Sequence, residues 1–596
     1  MSLKKFYQFF ALVLTAAILL SACGTPAATP AAESPTTSAP VATEAIAIPV
    51  ATESPAVTAA APAGNPDAVL TLAEQSMPTF TRNFNPFIST AMPGTINVIH
   101  EPLMILNGVK GELVPWLATG YSWSEDLKTL SFTIREGVKW SDGKPFTSAD
   151  VVFTFNLLKT APGVTSSVLP ALVGDSAYVD TITAPDAKTV AFTFKRVYTP
   201  GLYELISQNM VPEHIWKDVT DVVAFTNENP VGTGPFTEIV NFAGQAYEVD
   251  KNPNYWQVGK PAFKGIVWKA FADANAASLA MANGDIDWSN LFIADPANNF
   301  VAKDATDPAN RYFIMEAGPN IGILAMNIGR KPFDDINVRK AISMALNRDQ
   351  ISTIGEGGVV GATDVTGITD FYKSWKVSDP TTLGDWSTYN VDKANELLDA
   401  AGLTKGADGI RVANGKPMKY DVMVLPAPNW IADLQIAAEN LKEVGIEITV
   451  KPNPNFPEWL QTQATGNYDM IFSIVDGNAT PYRSYRQIMS SELLAAEGAF
   501  AQGNYTRYSG GKADELLAKF ASATDLEQQK QIALELQKVF AAEVPAVPLT
   551  PLGGMGLVNT TRFTGFPTAD NYYASAQINP SFFADCLLVL TQITPK

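Results

Sequence analysis

Charge, histidine and cysteine are all scarce in this sequence, and each scarcity excludes something. Charged residues make up only 17% of the 596 residues, so neutral polar groups have to cover much of the surface. Lys and Arg number 42 against 60 Asp and Glu, for a formal net charge of −18. That balance excludes a nucleic-acid partner, because phosphate binding needs a basic footprint. Two histidines leave little material for a His-rich metal site or a histidine-based catalytic triad. Beyond the N-terminal segment no stretch of 18 or more apolar residues occurs, so no further bilayer-spanning helix is expected. What is present is 46% hydrophobic and 10% aromatic residues, which excludes disorder for most of the length. The chain also exceeds the length of about 300 residues at which a single core stops growing, so more than one lobe or domain is expected.

The N-terminus reads as an address. Lys4 and Lys5 form a positive n-region and Phe9 to Leu20 an apolar run, too short to cross a hydrocarbon core that needs about 20 residues. The run ends in Leu20-Ser21-Ala22-Cys23-Gly24, which resembles the bacterial lipobox. Residues 1–22 are therefore expected to be a lipoprotein signal peptide and Cys23 the lipidated residue. Cleavage removes two lysines and no acid, giving a mature net charge of −20. Cys586 is then the only other cysteine and has no intrachain partner, so no disulfide framework is expected. Residues 24–65 hold Ala, Thr, Pro and Ser, the three acids Glu33, Glu44 and Glu53, and no basic or aromatic residue. Such a segment cannot bury enough apolar surface to offset its ordering entropy. With Cys23 it is read as a disordered tether, with an r.m.s. span of about 35 Å.

From about residue 66 two periodicities alternate. Leu130, Phe132 and Ile134, like Val190, Phe192 and Phe194, follow the period of 2 of half-buried strands. Val338, Ala341, Ile342 and Ala345 follow helical spacing, with Asp334 and Asp335 at the start and Arg348 at the end. A second helix carries Leu434, Ala437, Ala438 and Leu441, breaks at Gly445 and is followed by a strand from Ile446 to Val450. A third runs from Val391 through Leu398 to Gly402. Helix–glycine–strand units of this kind predict sheets with helices packed on their faces.

The local motifs are structural rather than catalytic. Thr147 and Asp150 form a capping box that opens a helix after the Ser141-Asp142-Gly143-Lys144 turn. Gly232-Thr233-Gly234-Pro235 lacks the Gly-Lys-Ser/Thr ending of a phosphate loop, and Pro235 has no N–H to offer. Gly355 to Gly361 has the wrong spacing for a dinucleotide fingerprint. There is no Gly-x-Ser-x-Gly elbow and no His-Glu-x-x-His. His100 and His214 are read as ordinary hydrogen-bonded residues.

Taken in order, these segments resemble the family 5 extracytoplasmic solute-binding proteins, the oligopeptide, dipeptide and nickel receptors of ABC importers. The resemblance runs from about residue 68 to the C-terminus. It includes Phe84-Asn85-Pro86-Phe87, Leu113-Val114-Pro115-Trp116, the Asp142-Gly143 segment, Val211-Pro212-Glu213-His214 and Asn229 to Phe236. Asn252-Pro253-Asn254-Tyr255-Trp256, Gly284-Asp285-Ile286-Asp287, Pro332-Phe333-Asp334-Asp335, Gly466 to Met470 and Val544 to Leu549 complete it. It implies an α/β, two-lobed, hinged periplasmic-binding-protein-like fold of type II, with mixed sheets flanked by helices. One lobe would be discontinuous, 66–103, 229–318 and 545–596, with an extra subdomain at 104–228. The second lobe would cover 319–544. It also implies a receptor rather than an enzyme, without a cofactor or metal. The implied partners are a peptide or oligosaccharide solute and an ABC importer permease. The receptor would work as a monomer held by its lipid anchor at the outer face of a bacterial cell membrane.

The same resemblance places an amine-binding acid in the second lobe, where Asp476 stands with Arg483 nearby, although the family's Asp-Pro spacing is absent. The Pro481-Tyr482 to Arg486 segment and the ending Thr564 to Ala574 resemble the branch that binds cello- or related oligosaccharides. Sugars pack their C–H faces on aromatic rings, so Trp288, Trp430 and Trp459 join Asn85, Asn327, Asp476 and Arg483 as expected ligand contacts. A secreted hydrolase and a purely structural surface lipoprotein are the competing readings.

Overall fold

Two strands far apart in sequence organise the chain. In the computed structural model Arg311–Met326 lies antiparallel to Val547–Asn559 at the centre of a ten-stranded sheet. The structure describes residues 64–596 except 75–77, 175–176, 294, 359 and 579–583. Cys23 and the expected leader and tether up to residue 63 lie outside the described residues. The chain divides into two units, Met1–Glu44 and Ala45–Lys596; everything below concerns the second.

On one side of the central pair the sheet continues through Met470–Val475, Lys419–Val424 and Glu447–Pro452, the last two parallel. On the other side it continues through Trp288–Ser289, Val69–Ala73, Gly265–Lys269, Ala246–Lys251 and Phe236–Ala243. The central pairing is interrupted. Ala317 faces Gly553 and Ile321 faces Pro551, with a register shift between them. Pro319 and Pro551 fall at this interruption and Pro548 at a second register shift between Gly322 and Ile323, and none of the three can donate a ladder hydrogen bond. Arg311–Ala317 therefore pairs on one side of the break, while Ile321–Met326 also pairs with Met470–Val475 on the other.

A separate four-stranded antiparallel sheet has the order Ala118–Trp123, Thr129–Ile134, Thr189–Phe194, Val179–Asp186. Its two middle strands bury alternate residues, Leu130, Phe132 and Ile134 opposite Val190, Phe192 and Phe194, as their period predicts. Helix Ser148–Thr160 covers this face, with Phe155 edge-on to Phe192 at 4.8 Å. The capping box forms: Thr147 Oγ1 accepts from Ala149 N, and Asp150 Oδ2 accepts from Thr147 N at 2.9 Å.

The three expected helices are present as Ile336–Met344, Val391–Ala400 and Pro428–Glu443, the first capped by Asp335. Arg348 differs from its expected place at a helix dipole. It lies buried among acceptors, donating to the carbonyls of Ser343, Ser387 and Pro548 and to the hydroxyls of Ser343 and Thr363. Burial lowers its pKa to about 10. A guanidinium presents five donors in a rigid fork, so this residue ties Pro548 of the central strand to the helical layer beside it.

The glycines at 232 and 234 have a packing role. A Cβ on Gly234 would stand 1.9 Å from the carbonyl oxygen of Val98, and one on Gly232 would stand 2.0 Å from that of Ile99. Backbone cannot yield as a side-chain tip can. Gly234→Ala is accordingly expected to destabilise the protein by about 1–3 kcal/mol, read as a lower denaturation midpoint with an unchanged denaturant slope.

Candidate functional site

Three cavities, the first two sharing lining residues, lie between the elements on either side of the central strand pair. The first, of about 180 Å³, has one wall from Asn97, Met104, Ser166 and Tyr203 to Asn209, and the other from Asn478 and Arg483. The second, of about 360 Å³, shares Ser167, Glu204 and Arg483 with that region and adds Asp476, Gln487 and Tyr505. The third, of about 330 Å³, lies beside the interrupted pairing at Glu316 to Pro319.

Local structure fixes the segment that carries Asp476 and Arg483. It follows strand Met470–Val475 and leads into helix Tyr482–Met489. Gln487 Oε1 accepts from Asp476 N at 2.7 Å, and Asn320 Oδ1 accepts from Gly477 N at 2.8 Å. The Tyr372 hydroxyl accepts from Asn478 N and donates back to the same residue's carbonyl. With the backbone so held, the Asp476 carboxylate stands 3.5 Å from Arg483 Nη2, the two side chains 35% and 32% exposed. A partly wet pair at that distance contributes at most about 1 kcal/mol, so a solute can compete for either charge at little cost.

The opposite wall presents Glu204, whose carboxylate accepts from the hydroxyls of Tyr178 and Tyr198, both at 2.9 Å. Burial first, and then the charge of Glu204, pushes both phenols well above their ordinary pKa, so they remain donors. Past this wall the two sides touch. Arg196 reaches Glu492 at 2.8 Å, Thr199 donates to the carbonyls of Ala521 and Ala523, and Tyr198 meets Tyr482 edge-on at 5.9 Å. The cleft is thus bounded by the strand pair at one end and by these contacts at the other.

Of the residues expected to touch solute, the structure brings Asp476 and Arg483 together on the cleft wall and places the others elsewhere. Asn85 is fully buried, donating to the carbonyls of Val222 and Phe225 and accepting from Phe87 N. Asn327 donates to Gly466 O and accepts from Gly329 N. Trp288 is fully buried with Nε1 on Ala576 O, and Trp459 is 3% exposed with Nε1 on Phe472 O. Trp430 is half-buried and stacks on Phe472 at 5.3 Å. Asn85, Trp288, Asn327 and Trp459 make their polar contacts within the fold, Trp430 is half-buried, and none of the five lines the three cavities. No tryptophan lines any of the three.

Sequence reasoning missed Glu204, Asn209 and Ser166, which sit in ordinary polar stretches and become neighbours only through the fold. His214 is hydrogen-bonded through Nε2 to Asp142 at 2.7 Å, joining two of the resemblance segments. Among the described residues no group of three His, Cys, Asp or Glu is arranged to hold a metal ion.

Two sides joined by a crossing strand pair, with a cleft of mixed lining between them, are the architecture of a solute-binding protein of the periplasmic-binding type. The chain belongs to the bacterial extracellular solute-binding proteins, family 5, whose model matches residues 112–493. It is therefore a receptor of the ABC importer class, and no described helix is long and apolar enough to cross a membrane. A Brucella ovis protein provisionally named as an ABC transporter peptide-binding protein is 29% identical over 414 residues, 67% of this chain and 73% of that one. The Escherichia coli dipeptide-binding protein is 26% identical over 472 residues, 73% of this chain and 80% of that one. The crystal structure of an oligopeptide-binding protein from Thermotoga maritima superposes with a TM-score of 0.77 at 25% identity, covering 89% of this chain and 99% of that one. A mannohexaose-bound structure of the Thermotoga maritima protein superposes with a TM-score of 0.72 at 25% identity, covering 89% and 98%.

Because Trp459 belongs to the core and lines none of the cavities, Trp459→Ala is expected to cost about 3–5 kcal/mol of stability while leaving solute affinity within about twofold of the parent. Paired denaturation and calorimetric titration check both halves.

Proposed function

We propose that this protein is a lipid-anchored extracytoplasmic receptor that captures an oligopeptide-class solute by lobe closure and delivers it to an ABC importer permease. Cys23 carries the anchor and residues 24–65 the tether in this reading, and the receptor acts as a monomer. Lobe I comprises 66–103, 229–318 and 545–596, its extra subdomain 104–228, and lobe II 319–544. The register break between Ala317 and Ile321 supports that division. A ligand that binds only the closed arrangement shifts the population toward it.

The observation that carries the peptide reading is the Asp476–Arg483 pair on the cleft wall, opposite Glu204 and the amides of Gln208 and Asn209. Charges of both signs among amide groups complement a zwitterionic chain of peptide bonds. Aromatic rings, Tyr203, Tyr505, Phe371 and Tyr572, also line these cavities with no indole among them, so it is the charges that favour a peptide over a neutral sugar. In this reading Asp476 orients Arg483, and Arg483 takes carbonyl or carboxylate oxygens of the solute. The mannohexaose bound to the Thermotoga maritima relative favours one second reading, the same receptor role for an oligosaccharide of the cello- or xylo-type.

Thermal unfolding with di- to pentapeptides and with cello-, xylo- and manno-oligosaccharides decides between them, since a ligand specific to the native state raises Tm by mass action. Peptides are expected to raise Tm; a rise with sugars alone would falsify the peptide reading. Arg483→Ala is expected to weaken peptide affinity by about tenfold or more and to leave any neutral-sugar affinity nearly unchanged. Turnover of peptides or oligosaccharides by the purified protein would refute the receptor reading altogether.

A further inference from the structure

The cavity beside the crossing strands has a charge arrangement different from that of the Asp476–Arg483 wall. Glu316, on the strand Arg311–Met326, is fully engaged. Its Oε1 accepts from Ala576 N at 2.6 Å, and its Oε2 accepts from Ser575 Oγ at 2.6 Å and Gln577 Nε2 at 3.0 Å. Three donors hold this carboxylate in one position. Asp585 lines the same cavity and is 0% exposed. Its Oδ2 accepts from Ser575 N at 3.0 Å and the Gly108 amide faces the same carboxylate, while its Oδ1 is buried and makes no hydrogen bond of full geometry. A buried carboxylate oxygen left unpaired is unfavourable until a proton or a ligand donor meets it.

The remaining groups around Asp585 set the sign of that ligand. Burial, and then the charge of Glu316, raises the Asp585 carboxyl to about 7. The neighbouring Cys586 thiol is pushed up by its own burial and stays neutral. The Tyr572 phenol is raised by burial and by Glu316 and stays neutral as well. Asp370 is paired with Lys376 at 2.7 Å. Among the described residues Lys373 is the one basic side chain on the cavity wall, and it is exposed. No described cation lies within ion-pair distance of Glu316 or Asp585, whereas Asp476 already faces Arg483.

We infer that this cavity is a subsite for a positively charged nitrogen of the solute, an ammonium or guanidinium, with Asp585 Oδ1 as its direct partner and Glu316 as the fixed second charge. The inference rests on the peptide-class reading for the source of that nitrogen and moves recognition of the amine from Asp476 to Asp585. Ala584 and Leu106 line the first cavity and their near neighbours in sequence Asp585 and Gly108 the third, so in this reading one extended solute runs from Arg483 to Asp585. Binding the cation displaces the proton from Asp585. Affinity for a cationic solute therefore rises as pH rises toward the carboxyl's own pKa.

The test is calorimetric titration of the full chain with four probes: trialanine amide, N-acetyl-trialanine amide, the glucosamine trimer and the N-acetylglucosamine trimer. The parent is expected to bind the amine form of a pair about tenfold or more tightly than the acetylated form. That preference is expected to grow between about pH 5.5 and about pH 7, as Asp585 gives up its proton while the amine keeps its own. Asp585→Asn is expected to erase the preference and its pH dependence. Lys373→Glu, on the exposed rim, is expected to enlarge it. An unchanged ratio in a cooperatively folding Asp585→Asn overturns the subsite; if that variant does not fold, an unchanged ratio in Lys373→Glu does so. Binding of the sugar pair alone refutes the peptide reading, while its amine-to-acetyl ratio still decides the subsite. Binding of none of the four overturns both.

Discussion

The antiparallel contact between Arg311–Met326 and Val547–Asn559 is the constraint on which the rest of this structure depends. These strands belong to both halves of the ten-stranded sheet, and their pairing is interrupted where Pro319, Pro548 and Pro551 remove donors from the ladder. A continuous ladder would hold the two halves as one stiff sheet. An interrupted one concentrates its bending at a few residues, which is how hinges absorb backbone change. Arg348 anchors Pro548 just beside the break, so the strand is fixed on one side and released within a few residues.

The glycines of the second strand serve the same region. A Cβ at Gly554 would strike the amide of Gln577, and one at Gly556 would strike the carbonyl of Ala576. Their absence lets the C-terminal segment lie directly on the strand, where Ser575, Ala576 and Gln577 deliver their donors to Glu316. The last part of the chain thereby becomes part of the wall of the central cleft. The hinge and the cleft are one piece of construction, and their geometry cannot be altered independently.

The cleft walls contrast with the packed interior in a way that suits a receptor. Tryptophans are spent on cores: Trp268 stacks on Tyr247 at 5.2 Å, and Trp288 meets Phe566. The walls instead mix apolar side chains and the rings of Tyr203, Tyr505 and Phe371 with amides and a few charges, of which the Asp476–Arg483 pair is partly wet. Weak internal pairing keeps the cost of exchanging water for solute low in both directions, as capture followed by release requires.

Much of the fold was legible in the sequence because it rests on local physics. The period-2 strands Thr129–Ile134 and Thr189–Phe194, the capping box at Thr147 and Asp150, and the helices ending near Gly402 and Gly445 depend on neighbours a few residues apart. The ordered motifs identified the family for the same reason: the turns at Asp142-Gly143 and Pro212 to His214 are each set by their own residues. The candidate site was only partly legible. Asp476 and Arg483 stand seven residues apart and one helix brings them together, whereas Glu204 reaches their cavity from the far wall. Trp288 and Trp459 show the converse, since an aromatic ring carries no mark in sequence that tells a core position from a cleft. Which carboxylates pair and which oxygen stays unpaired was decided by tertiary structure alone. Glu316 and Asp585 lie hundreds of residues apart, and only the crossing of the two strands places them on one cavity wall.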